Sequence, residues 1–162
     1  MFNLFFVLVS GLSLDYVSDG DTVALKTEEG LVLKGRLIVI DCPEIPHKAG
    51  HGRRKQPGQP GGLEAKDRLA DLLKSGFEVQ TYGSDAYGRS LVELILKDKK
   101  PANLIMVEEG YCEVYQKAKA NRGKSFELFP YRMAENKAQK AKKGIWGFKH
   151  YEPPGIFRRR LR

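Results

Sequence analysis

The chain is predicted to fold as a small closed β-barrel with helices, an α+β arrangement of five strands and about three α-helices. Short segments that are apolar, or that alternate between apolar and polar residues, recur along it and are separated by turns rich in glycine and acidic residues. Helical periodicity appears between and after these segments, which favours a barrel with inserted helices. A length of 162 residues with 41% hydrophobic residues is enough for one domain with a proper core.

The first three predicted strands form a meander. Residues 12–18 alternate between apolar and polar side chains, and residues 22–26 follow after the turn at Asp19 and Gly20. The third strand, residues 31–40, is almost continuously apolar, so we expect it to be buried on both faces.

The second half of the chain supplies the helices and the last strands. The expected elements are a helix at 63–74, strands at 77–82 and 90–96, a short helix at 101–109, an extended segment at 111–115 and a longer helix at 125–142. Residues 45–62 precede them as a long loop with three prolines, five glycines, four basic residues and no acid.

We divide the chain into an apolar N-terminal segment (1–11), one folded domain (12–148) and a basic C-terminal tail (149–162). The N-terminal segment is either a signal peptide or membrane anchor, or the start of the first strand. The first alternative makes the protein secreted or membrane-anchored. A monomer is expected.

The positive charge is concentrated at the C-terminal end. Residues 137–162 hold nine Lys or Arg and one glutamate, which accounts for the whole net charge of +8. A basic balance suggests a polyanionic partner, either nucleic acid or an anionic membrane, and the alternative is a merely solvated basic surface.

The two cysteines, Cys42 and Cys112, have no CxxC spacing, so the usual kind of zinc site is unsupported. Their number allows them either to pair or to stay free, and it does not decide the redox compartment.

Four carboxylates, Asp19, Asp21, Asp41 and Glu44, lie at the ends of predicted neighbouring strands. Carboxylates this close repel one another unless a positive group binds between them. Their hard oxygen atoms suit calcium or magnesium, and an irregular oxygen shell favours calcium. The alternative is that Asp19 to Asp21 form only a turn.

Two arginines accompany these acids. Arg36 interrupts an apolar strand, where it is costly without a partner, so it forms either a structural ion pair or a bidentate contact with a phosphate. Arg89 follows a tight turn and is either an exposed basic residue or a second phosphate contact. Strand alternation puts Arg36 and Asp41 on opposite faces, and only a bulge or a strong bend brings them together.

Six motifs occur in an order that resembles a known family. They are DGDT (19–22), RLIVIDCPE (36–44), GLEAKDRL (62–69), DAYGR (85–89), the N-x-x-M-V-x-x-G run from Asn103 to Gly110, and AENKAQKAKKGIW (134–146). Together they resemble staphylococcal nuclease and its thermonuclease-like relatives over about residues 12 to 157. The resemblance implies a five-stranded barrel of the oligonucleotide-binding (OB) type and calcium-dependent cleavage of DNA and RNA that leaves 3′-phosphates.

The resemblance also implies a role for each candidate residue. It implies a metal site formed by Asp21, Asp41 and the backbone carbonyl of Cys42, with Asp19 outside the direct ligands. It implies that Arg36 and Arg89 contact the phosphate and that Glu44 lies beside the attacking water. Tyr87 and Tyr115 are implied to lie near the nucleotide. The family's prototype has threonine in place of Cys42 and lysine in place of Ala86, and its loop after Glu44 is shorter and less basic.

Two functional classes are compatible with the sequence. The first is an active endonuclease acting on DNA and RNA. The second is a nucleic-acid-binding module that keeps the barrel but has lost catalysis, as in tudor-associated nuclease repeats. Such modules typically lack the metal acids or the arginines, and all of these are present here, so the sequence favours the enzyme.

Overall fold

A computed structural model describes residues 7–9, 11–49, 55–115 and 127–162 of the chain. Residues 1–6 and 10 of the N-terminal segment, residues 50–54 of the basic loop and residues 125 and 126 of the predicted third helix lie outside the described residues. Within the described ranges, no helix is both long enough and apolar enough to cross a bilayer.

The described residues contain eight β-strands. In chain order these are β1 (Val7–Val9), β2 (Ser13–Asp19), β3 (Thr22–Lys26), β4 (Val32–Leu37), β5 (Ile40–Asp41), β6 (Phe77–Ser84), β7 (Ser90–Leu96) and β8 (Glu113–Val114). The predicted meander is present as the antiparallel pairs β2–β3 and β3–β4. Strand β7 has the predicted bounds, whereas β6 runs two residues beyond the prediction.

Six of these strands form one sheet in the order β1–β6–β7–β4–β3–β2, and β5 pairs separately with β8. The fold is therefore mixed α+β, as predicted, but its hydrogen-bonded order is open and has six strands, not five in a closed barrel. The strands at its two ends, β1 and β2, follow one another along the chain. Strands β4 and β7 are parallel, with Gly35 opposite Ser90, which brings Arg89 next to the strand that carries Arg36.

The prediction of one continuous, doubly buried strand over residues 31–40 was wrong. Strand β4 ends at Leu37, and β5 begins only at Ile40. Val39 between them has a φ of 76°, a left-handed conformation that is unusual for a β-branched residue and that turns the chain. The beginning of the segment also faces solvent, since Leu31 is 65% and Val32 is 51% exposed.

Four α-helices lie within the described ranges, one more than expected. They are α1 (Gly62–Leu73), α2 (Ala102–Glu108), α3 (Phe129–Lys140) and α4 (Pro154–Arg160). Helix α3 tolerates Pro130 because the proline stands in its first turn. Helix α4 lies in the segment for which the sequence predicted only a basic tail.

The core lies between the sheet and helices α1 to α3. Its largest fully buried side chains include Leu25, Leu37, Leu69, Leu94 and Met106. A disulfide joins Cys42, directly after β5, to Cys112, directly before β8, so the chain adopts the paired alternative for its cysteines.

Asn103 at the start of α2 is a polar side chain buried within this core. It is fully buried; its side-chain oxygen accepts the N–H of Leu94 at 3.2 Å, and its amide donates to the carbonyls of Ile38 at 3.2 Å and Val92 at 3.0 Å. These bonds join α2 to β7 and to the bend at Val39. Asn103 therefore helps to fix the path of the chain toward Asp41.

We expect Asn103→Ala to lower the free energy of unfolding by about 3 kcal/mol, because it leaves one buried N–H and two buried carbonyls without this partner. Urea denaturation of the wild type and the variant measures the difference. Asn136→Ala, on the exposed face of α3, is the matched control and should change stability by less than about 0.5 kcal/mol. Equal stability of Asn103→Ala and the wild type would contradict this role.

Candidate functional site

One open cavity of about 1040 Å³ collects the predicted site residues. Of those residues, it is lined by Asp19, Asp21, Arg36, Asp41, Glu44, Tyr87, Arg89 and Tyr115. Cys42 is buried and its side chain forms the disulfide, which leaves its backbone as the part relevant to a metal. The fold therefore brings the side chains of these predicted site residues together around one cavity.

The turn between β2 and β3 positions the first two acids. The backbone N–H of Asp21 donates to Asp19 at 3.0 Å, and the Asp21 carboxylate accepts from the Thr22 hydroxyl at 3.1 Å and from the Cys42 N–H at 2.9 Å. Gly20 is required by packing, because a Cβ there would lie 2.8 Å from the Cβ atoms of both Ala65 and Cys42. Burial raises the pKa of Asp19, with Arg36 acting in the opposite direction.

Arg36 lies between the two predicted metal carboxylates. Its guanidinium forms an ion pair with Asp21, and it donates to Asp41 at 3.1 Å and to the Ile40 carbonyl at 3.2 Å. The bend at Val39 makes this possible, since regular alternation would separate Arg36 from Asp41. The ion pair considered as the alternative role for Arg36 is therefore present, at the edge of the cavity where a phosphate contact was also predicted.

Arg89 is presented by the turn between β6 and β7. The Asp85 carboxylate accepts from the N–H groups of Tyr87 at 2.9 Å and Arg89 at 3.0 Å, and from the Arg89 side chain at 2.7 Å. The guanidinium carbon lies 5.6 Å from the centre of the Tyr87 ring, within cation–π range. Tyr87 is 79% exposed at the rim, so its ring is open to a ligand. Tyr115 is tied to the bend, donating its N–H to the Val39 carbonyl at 2.6 Å.

Sequence reasoning missed Arg158. This residue of α4 donates to both carboxylate oxygens of Asp41, at 3.0 and 2.7 Å, and to Glu44 at 2.7 Å. Burial opposes its charge, but the hydrogen bonds to Asp41 and Glu44 raise the pKa of Arg158. The only signal in the sequence was the run of arginines in the tail, which does not identify a partner more than a hundred residues away.

A further acid, Glu113, was also missed. It stands opposite Asp41 in the β5–β8 pair, lines the cavity and accepts the Tyr151 hydroxyl at 2.7 Å. Burial raises the pKa of Glu113 to about 7. Its carboxyl group is therefore partly protonated near neutral pH, which limits the negative charge beside Asp41.

The donor atoms fit a hard divalent cation in their chemistry. In the described part of the chain, no cluster of three or more His, Cys, Asp or Glu side chains is arranged to hold a metal. Asp21 and Asp41 place buried carboxylates on either side of Arg36, and the Cys42 backbone provides a further oxygen. All four carboxylate oxygens accept bonds from protein donors, so a cation bound here would share them with the guanidinium groups of Arg36 and Arg158. Calcium takes six to eight oxygens in general, so water or substrate oxygens would have to complete such a shell.

Fold and site together define a mixed α+β protein with acids and arginines around one open cavity. Residues 34–147 match the family model described as staphylococcal nuclease homologue. The chain belongs to this family.

Similar proteins come from bacteria and fungi. The chain is 30% identical to "Endonuclease YhcR" of Bacillus subtilis over 82% of its own length and 11% of that protein. It is 30% identical to "Probable endonuclease LCL3" of Eremothecium gossypii over 78% of its length and 45% of that protein. An "Uncharacterized endonuclease" of Haemophilus influenzae is 29% identical, with 88% and 70% covered. The chain thus spans about a tenth of the first of these relatives and under half of the second.

Proposed function

We propose that this chain is an endonuclease that hydrolyses phosphodiester bonds of DNA and RNA with the help of a divalent cation, calcium in the first instance, and leaves 3′-phosphates. The observation that carries the proposal is the meeting of Asp21, Asp41, Glu44, Arg36 and Arg89 around one cavity. Membership of the nuclease family and the names of the endonuclease relatives support it.

In this proposal the arginines bind the scissile phosphate. Arg36 and Arg89 are each restrained by an aspartate, and so are oriented before the substrate arrives. Fixed guanidinium groups stabilise the charge that builds on the phosphate oxygens in the transition state. A cation at Asp21, Asp41 and the Cys42 carbonyl would supply further charge stabilisation as a Lewis acid.

The remaining residues orient water and nucleotide. Glu44 lies at the cavity wall, where its carboxylate orients a water molecule for in-line attack. Asp19 supports Asp21 from outside the direct ligands through the bond to its N–H. The exposed ring of Tyr87 and the partly buried ring of Tyr115 at the cavity wall are placed beside the base or the sugar, since aromatic rings stack on nucleotides.

An OB-like fold belongs to the same proposal. Strands β1 and β2 are consecutive in the chain, lie at opposite ends of the open strand order and pair with β6 and β3. The antiparallel meander of β2, β3 and β4 and the match to the family model support this part of the proposal.

Cation dependence provides the test. We expect excess chelator to slow cleavage of single- and double-stranded DNA by at least about a thousandfold, because several kcal/mol of charge stabilisation are removed. Activity is compared after addition of calcium or magnesium, and the end groups of the products are identified. Asp21→Asn, which lacks one carboxylate, should respond only weakly to added calcium.

The outcomes separate the two functional classes. Cleavage at the full rate in chelator would contradict the cation model. Binding of DNA without cleavage under every condition would favour the inactive nucleic-acid-binding module.

A further inference from the structure

Helix α4 places a third guanidinium among the acids of the cavity. Through one nitrogen, Arg158 donates to Asp41 at 3.0 Å and to Glu44 at 2.7 Å, and its second nitrogen reaches the other Asp41 oxygen at 2.7 Å. One planar group thus spans a predicted metal carboxylate and the predicted water-orienting carboxylate. A guanidinium fork suits such a bridge because its donors are fixed relative to one another.

The position of α4 is itself determined by packing. Phe157, next to Arg158, is 5% exposed, and Pro154 at the start of the helix is buried. Just before the helix, the carbonyl of Glu152 accepts from the Gln59 side chain at 2.8 Å. Arg158 therefore enters the cavity from an anchored element.

Gln59 connects the same segment to the backbone of Glu44. Its side-chain oxygen accepts the Glu44 N–H at 3.0 Å, while its nitrogen donates to Glu152. The C-terminal segment thus holds Glu44 twice, at the backbone through Gln59 and at the carboxylate through Arg158. Glu44 follows β5 in a loop, where no strand pairing restrains its side chain.

We propose that Arg158 is a positioning residue that fixes the carboxylate of Glu44 relative to Asp41. The inference rests on the proposed function, since it takes Glu44 as the group that orients the attacking water. Orientation of a reacting group within a fraction of an ångström strongly affects the rate. Arg158 also donates to both oxygens of Asp41, so a cation bound at that carboxylate would share it with the guanidinium, whereas the bond to Glu44 involves a separate carboxylate.

A double-mutant cycle tests this role. We expect Arg158→Ala to lower kcat by about a hundredfold, while KM stays within about threefold, because the lost orientation affects the chemical step more than substrate binding. In a Glu44→Ala background, Arg158→Ala should cause almost no further loss, since it acts through Glu44. Arg158→Lys keeps the charge and one contact but not the fork, and should recover part of the rate.

Two controls exclude a general effect of lost positive charge and a loss of folding. Arg132→Ala, on the exposed face of α3, removes the same charge away from the cavity and should leave kcat unchanged. Circular dichroism and thermal unfolding establish that each variant is folded. If Arg158→Ala does not fold, Arg158→Gln, which keeps much of the side-chain stem, takes its place in the cycle.

Four results would overturn the inference. Additive losses in the double mutant would mean that Arg158 acts independently of Glu44. A rise in KM with kcat unchanged would make it a substrate contact, and faster cleavage by Arg158→Ala would make it a block on the site. Full activity of Glu44→Ala alone would contradict the role of Glu44 in the proposed function, and the inference would fail with it.

Discussion

Replacement of Arg36 by alanine is expected to slow DNA cleavage on the order of a thousandfold, because it removes a preorganised donor to the charge that develops on the phosphate. The same change should lower the free energy of unfolding by about 3 kcal/mol. Asp21 and Asp41 are 5% and 1% exposed, and loss of one partner from a buried ion pair leaves charge uncompensated. Steady-state cleavage assays and urea denaturation measure the two effects.

Arg36→Lys and Arg89→Ala separate these contributions. Lysine keeps the charge beside the acids but not the two-pronged contact, so it should restore most of the stability and only part of the rate. Arg89 lies at the rim with its side chain 31% exposed, and Arg89→Ala should reduce the rate with little change in stability. Cleavage by Arg36→Ala at the wild-type rate would contradict the phosphate role.

The grouping of acids and arginines in the cavity could be predicted from the sequence because these residue types are unusual in their local setting, whereas Cys42 and Tyr115 were implied only by the family resemblance. An arginine within an apolar strand and acids beside a tight turn both require a partner, whatever the rest of the fold. The closeness of Arg36 and Asp41 could not be predicted. It depends on Val39 adopting a positive φ, which contradicts the preference of a β-branched residue and is supported by the Asn103 bond to the Ile38 carbonyl.

The contribution of the C-terminal segment also could not be predicted, and the reason is different. Helix α4 has seven residues, starts at a proline and has no side-chain cap, so its local signals are weak. Arg158 meets Glu44 across 114 residues of chain, and neither composition nor periodicity carries information about such a contact. The sequence located the positive charge of the tail but not its partners.

Loss of the disulfide is expected to have the largest effect on stability. The bond between Cys42 and Cys112 joins residues 70 positions apart in the sequence. Because the cross-link lowers the conformational entropy of the unfolded chain, a loop of this length should raise the free energy of unfolding by about 4 kcal/mol. The disulfide also holds β5 beside β8, the pair in which Asp41 faces Glu113. We expect the double substitution Cys42→Ala with Cys112→Ala to lower the urea midpoint accordingly.

The same variant distinguishes the cross-link from the packing of the sulfur atoms. Reduction of the wild type with dithiothreitol should lower its urea midpoint toward that of the double variant, whereas the double variant itself should not respond to the reductant. Cleavage should fall together with stability, since the Cys42 N–H also donates to Asp21 at 2.9 Å and a looser β5 weakens that contact. An unchanged midpoint in the reduced wild type would show that the bond contributes nothing to the stability of the folded chain.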